Sequence, residues 1–152
     1  MSTTSTSTYA PSQVDPRGLR VAAAITAVVV SLVLALPSPA RETLLAIQVG
    51  VFALAAFAGL KRSPYSIFFA KVICPRIGAP AELEDARPPR FAQLVGFGFT
   101  AVALLAFLAG AATVGLVAAA FALVAALLNA SIGLCLGCEL YLVLRRFTPA
   151  NA

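Results

Sequence analysis

Near its C-terminus the chain carries Asn129-Ala-Ser-Ile-Gly-Leu-Cys-Leu-Gly-Cys-Glu139, a run that sets an amide, a hydroxyl, two glycines, two thiols and a carboxylate among Ala, Leu and Val. Cys135 and Cys138 are the residues best suited to chemistry. Two thiols three apart can close a reversible disulfide, relay sulfur, or hold a soft metal. They can also pack as small hydrophobes, which is the bland alternative. With no His in the chain, a metal at Cys135 and Cys138 would need Cys74 or Glu139 as a further ligand, and Cu(I) would suit it better than zinc. Ordinary His-ligated haem is excluded on the same ground, and no cofactor signature is visible.

Position on a helix decides how such thiols behave. On one continuous helix, at about 100 degrees per residue, Ser131, Cys138, Glu139 and Leu142 share a face with Cys135. Asn129, Gly133, Gly137 and Tyr141 fall on the opposite face, where Gly133-x-x-x-Gly137 suits tight helix packing and Asn129 suits a hydrogen bond to another helix. A straight helix is a poor frame for a disulfide between positions three apart. A break at Gly133 changes that. It would place Cys135 near a new helix N-terminus, where the thiolate is favoured. Glu139 could pass protons to or from the pair. Its bland alternative is snorkelling, or pairing with Arg145 or Arg146.

The elements that must position these residues are membrane spans. Of 152 residues, 61% are hydrophobic and 11% charged, against about half and a quarter in soluble domains. The apolar residues form long runs free of charge. Four stretches stand out: 19–36, 43–60, 91–109 and 114–144. The first two are joined by a short turn around Pro37 and Pro39, and the last two by one around Gly110, giving two helical hairpins. The fourth stretch is longer than one bilayer needs, so it must tilt, project or break, with Gly133 and Gly137 as the weak points. Gln48, alone in the second span, reads as a cross-helix hydrogen-bonding residue. Gly96 and Gly98 in the third read as points of close helix approach. The expected fold class is therefore all-α and polytopic, spanning residues 17–146.

Residues 1–16 read as a disordered Ser/Thr-rich tail, and 147–152 as a C-terminal tail. The connection 61–90 is polar, with a short interfacial helix expected over 65–73 and Arg87-Pro-Pro-Arg90 as a rigid approach to the third span. Arg17 and Arg20 ahead of an apolar run ending in Ser38-Pro39-Ala40 also resemble a signal peptide. The length of the run and the proline beside the cleavage point favour a span. Ten Lys and Arg fall on one side of the expected topology and only Arg41 on the other. This puts both termini and the 61–90 loop in the cytoplasm, and explains the net charge of +5 without nucleic acid. Cys74 shares that side, either as a resolving thiol or as an incidental residue. The two hairpins read as weak repeats, without sequence identity good enough to establish duplication.

Arg62-Ser-Pro-Tyr65, Pro75-Arg-Ile-Gly78, Glu82 to Gln93 and Asn129 to Tyr141 together resemble a domain-of-unknown-function family of small bacterial, largely actinobacterial, membrane proteins. The likeness covers residues 14–146, and Cys-x-x-Cys-Glu-x-Tyr is its most specific part. It implies a four-helix protein of the bacterial inner membrane. It also implies association with thioredoxin-like or rhodanese-like partners, and hence thiol or sulfur chemistry. The expected function is a membrane thiol–disulfide or sulfur relay, with Cys135 as nucleophile, Cys138 as resolving thiol and Glu139 tuning protons. The alternatives are a non-catalytic anchor for a soluble partner and a small transporter.

Overall fold

A computed structural model describes residues 13–148. Four helices are long and apolar enough to cross a membrane: Pro16–Ala35 (α1), Ala40–Ala58 (α2 with a terminal π turn), Arg87–Leu108 (α5) and Ala112–Ile132 (α6), with mean hydropathies of 2.2, 1.5, 2.1 and 2.2. The protein is an all-α polytopic membrane protein. Between α2 and α5 lie a 3-10 turn, Leu60–Arg62, and a helical run made of α3 (Pro64–Phe68), a π turn (Phe69–Ile73) and α4 (Cys74–Ile77). The chain ends in α7, Leu136–Phe147.

Three sequence expectations change. The stretch 114–144 is not one span but α6 and α7, interrupted at Gly133. Of the 1–16 tail, residues 1–12 lie outside the described residues, while Gln13–Val14 (β1) pair antiparallel with Glu84–Asp85 (β2) and Pro16 already opens α1. Arg87-Pro-Pro-Arg90 is the first turn of α5 rather than an approach to it. Proline is acceptable there because the first-turn N–H groups have no helical partner to lose.

The bundle is small-residue inside and large-residue outside. Ala103 and Ala119 are fully buried beside Val30, Val33 and Leu45, whereas Leu105 and Leu108 are 66% and 67% exposed. That distribution suits lipid, where no hydrophobic force drives helices together and close van der Waals contact must do so. Gly96 lies against the ring of Phe52, where a Cβ would come within 2.7 Å. Gly98 instead faces open space, so only the first of the two glycines serves helix approach. Gln48 is fully buried and its Oε1 accepts the Tyr65 hydroxyl at 2.6 Å, tying the second span to α3.

The two halves of the chain repeat one another. Each carries a short strand that runs into Asp-x-Arg-x-x-Arg and then a span: Asp15, just after β1, with Arg17 and Arg20 in the first half, and Asp85, the last residue of β2, with Arg87 and Arg90 in the second. In both, the aspartate accepts the backbone N–H of the first arginine at 2.9 Å. The second arginine then caps the far span of the other half. Arg20 donates to the carbonyls of Ala130 and Ser131 at 3.2 and 3.0 Å, and Arg90 to those of Ala56 and Phe57 at 2.7 and 3.0 Å. Each capped span ends at a glycine with positive φ, Gly59 at 116° and Gly133 at 72°. A helix end leaves its last carbonyls without intrahelical donors, and a guanidinium both supplies donors and complements the negative end of the helix dipole. The internal repeat is therefore real, carried by a motif too short to emerge from overall identity.

Candidate functional site

The site is built where α6 stops. Gly133 adopts the left-handed conformation that a side-chain-bearing residue resists, and its N–H bonds to Asn129 O at 3.1 Å. Leu134 N–H bonds to Leu128 O at 3.3 Å, and Arg20 takes the Ala130 and Ser131 carbonyls. With its end satisfied, α6 terminates and the chain starts a new helix. Cys135 is the N-cap of that helix, with φ −89° and ψ 102°, and its Sγ accepts the Cys138 N–H at 3.3 Å. The two sulfurs are paired as a disulfide, with the Cα atoms 5.1 Å apart. The extended backbone at Cys135 makes this pairing feasible, as a straight helix would not.

Helix α7 docks on the start of α5. Gly137 sits directly on Ala92, whose backbone Cα a glycine Cβ would meet at 2.6 Å. The Phe91 and Tyr141 rings lie 5.6 Å apart. Gly137 is thus a packing residue against α5, whereas Gly133 is the break itself, and the two glycines do not form one packing stripe.

Two cavities meet at Cys135. One, of about 210 Å³, has Arg20, Glu84, Gln93, Asn129, Gly133 and both cysteines among its lining residues. The second, of about 260 Å³, runs into the bundle between α1, α2, α5 and α6, lined by Ala22, Thr26, Phe52, Phe99, Ala125 and others together with Cys135. Leu19, Ala92, Gln93, Asn129 and Cys135 line both. Cys138 reaches only the first. The face assignment from continuous helical angles fails here. Asn129, expected opposite Cys135, shares both cavities with it, because the turn at Gly133 resets the phase of the helix. Nor does Asn129 bond across helices: its amide has no hydrogen-bond partner among the described residues.

Glu139 lies in the first turn of α7, exposed, and lines neither cavity. It makes no ion pair with Arg145 or Arg146 among the described residues. An acidic residue in a first turn complements the helix dipole. Cys74 is free and lines a separate cavity of about 350 Å³ with Lys61 and Lys71, away from the pair. No group of three or more potential metal ligands is present among the described residues. The residue that sequence reasoning missed is Arg20. In the sequence it reads as a topology charge, yet its guanidinium caps α6 just before the thiols. The repeated Asp-x-Arg-x-x-Arg was the available signal.

Residues 14–146 match the domain of unknown function DUF4395. The chain belongs to the DUF4395 family. No curated protein and no solved structure matches it. What DUF4395 adds here is membership over nearly the whole bundle, including the thiol loop and α7; it carries no activity to transfer.

Proposed function

We propose that this DUF4395 chain is a thiol–disulfide relay of the bacterial plasma membrane, with Cys135 as the exchanging thiol and Cys138 as its resolving partner. The observation that carries the reading is the N-cap position of Cys135. A sulfur there is stabilised as thiolate by the helix dipole and by the Cys138 N–H, 3.3 Å away, which makes it both a good nucleophile at neutral pH and a good leaving group. Reduction proceeds by attack of a soluble partner's thiolate on Cys135 Sγ. The internal S–S bond breaks, Cys138 leaves as thiolate, and the partner's second thiol resolves the mixed disulfide and frees Cys135 as the final leaving thiolate. The reverse sequence oxidises the pair. Glu139, one residue after Cys138, takes or returns the thiol proton.

A thioredoxin-like or rhodanese-like protein fits as the partner, since either presents a low-pKa thiol. Ten of the eleven Lys and Arg lie at the thiol end of the bundle, which supports a cytoplasmic location for that end and for both termini. Alkylation-shift redox titration of wild type, Cys135→Ser and Cys138→Ser tests the proposal. Wild type is expected to titrate as one two-electron couple, and Cys138→Ser to trap a mixed disulfide through Cys135 when offered a soluble disulfide probe, whose second sulfur leaves as thiolate. A pair that stays closed, or stays open, at every potential sinks the relay.

A further inference from the structure

We propose that the apolar cavity beside Cys135 binds the ring of an isoprenoid quinone, which accepts the electron pair of the two thiols. The inference rests on the relay reading. Its independent ground is the way three cavities join. The polar cavity that holds both sulfurs shares Cys135, Asn129 and Gln93 with the apolar chamber. That chamber in turn shares Val95, Phe99 and Phe121 with an open groove of about 550 Å³ between α5 and α6. The Phe99 and Phe121 rings stand 5.9 Å apart at this second junction. The groove is continuous with the lipid-facing surface of two membrane spans and is lined by Val, Gly, Thr, Ala and Phe.

This sequence of spaces describes its occupant. A compact ring fits the chamber, a long apolar tail follows the groove into lipid, and the reactive edge of the ring faces Cys135. Asn129 and Gln93 bring two side-chain amides to the chamber, neither with a hydrogen-bond partner among the described residues, and an amide N–H is the donor a quinone carbonyl needs. A phospholipid would put two chains and no electron acceptor into the same space.

The step balances. Two S–H bonds break and the Cys135–Cys138 S–S bond forms. The electron pair passes to the ring, and its two carbonyl oxygens take up the two protons to become the quinol. Electrons then flow from a soluble dithiol at the polar mouth, through the pair, to the membrane quinone pool.

The experiment uses the full chain in anaerobic phosphatidylglycerol vesicles, reduced and freed of reductant. The probes are a short-tailed menaquinone and the same ring without a tail, dimethylnaphthoquinone. Thiol loss is followed by maleimide mass shift and quinol by absorbance. Disulfide and quinol are expected to form in equal amounts. Ala125→Phe, which fills the chamber from α6, should slow both probes roughly tenfold or more. Gly98→Trp, which blocks the groove from an open position with nothing within 4 Å of its Cβ, should slow only the tailed quinone. Should Ala125→Phe fail to fold, Gly98→Trp decides alone. Oxidation no faster with quinone than without, while a soluble disulfide still closes the pair, overturns the quinone assignment and spares the relay. A pair that neither oxidant closes removes both. Quinone oxidation indifferent to both variants overturns the cavity as the site.

Discussion

Arg20 holds the carbonyl of Ser131 at 3.0 Å across the bundle, and this contact fixes where the fourth span ends. One side chain of the first span thereby determines that Cys135 begins a helix instead of lying inside one. Arg20→Gln removes the charge while leaving a shorter donor. A hydrogen bond to a charged donor is worth about 1.5–3 kcal/mol, so the variant is expected to unfold at lower temperature in detergent and, once the pair is reduced, to expose its thiols to alkylation faster. Arg90→Gln, acting on α2 in the other half, should lower the unfolding temperature comparably without changing thiol exposure. Equal thiol exposure in both variants would contradict the assigned role of Arg20.

Gly133→Ala places a side chain at φ 72°, at a cost of about 1–2 kcal/mol. Relief comes by continuing α6 helically through 133–135, which removes the cap geometry at Cys135. The straightened helix is a poor frame for a disulfide between positions three apart, and this strain on the oxidised form is expected to make the pair easier to reduce, moving the titration midpoint to a less negative potential. Gly133→Asn, which tolerates the left-handed region better, should fall between alanine and wild type.

Gly137→Ala tests the docking of α7. Its Cβ would meet the Ala92 backbone at 2.6 Å, so α7 must shift off α5, at about 1–3 kcal/mol for an overpacked contact. Amide hydrogen exchange over 136–147 should rise, and the Phe91–Tyr141 contact should loosen. Unchanged protection of α7 would count against it.

Acid sensitivity is expected at the start of α1. Burial raises the Asp15 carboxyl pKa, but the hydrogen bonds and charge of Arg17 outweigh it and hold the group below its ordinary 3.8. A carboxyl lowered in the folded state adds stability above its unfolded value and loses it as pH falls through the folded one. Asp15→Asn should therefore destabilise at neutral pH. The gap to wild type should close below about pH 4, as read by unfolding temperature across a pH series.

Cys74→Ser should leave the titration of the pair unchanged, because Cys74 lines a different cavity. A shifted midpoint would reinstate it as a third thiol of the relay.

The sequence by itself determined the four membrane-capable helices, the two hairpins and the place of the weak point. Long charge-free runs, prolines at span ends and a glycine in an overlong stretch are local signals, each with a local cause. Gln48 was readable too, because a lone amide in lipid must find a partner. Only the tertiary structure decided that α6 ends at Gly133 and not Gly137. Both are glycines in the same apolar run, and what separates them lies far away in the chain: Arg20 waits at the first, and Ala92 presses on the second. Cys135 and Asn129 likewise came together only in three dimensions. Their angular separation holds for an unbroken helix, and a left-handed glycine between them cancels it.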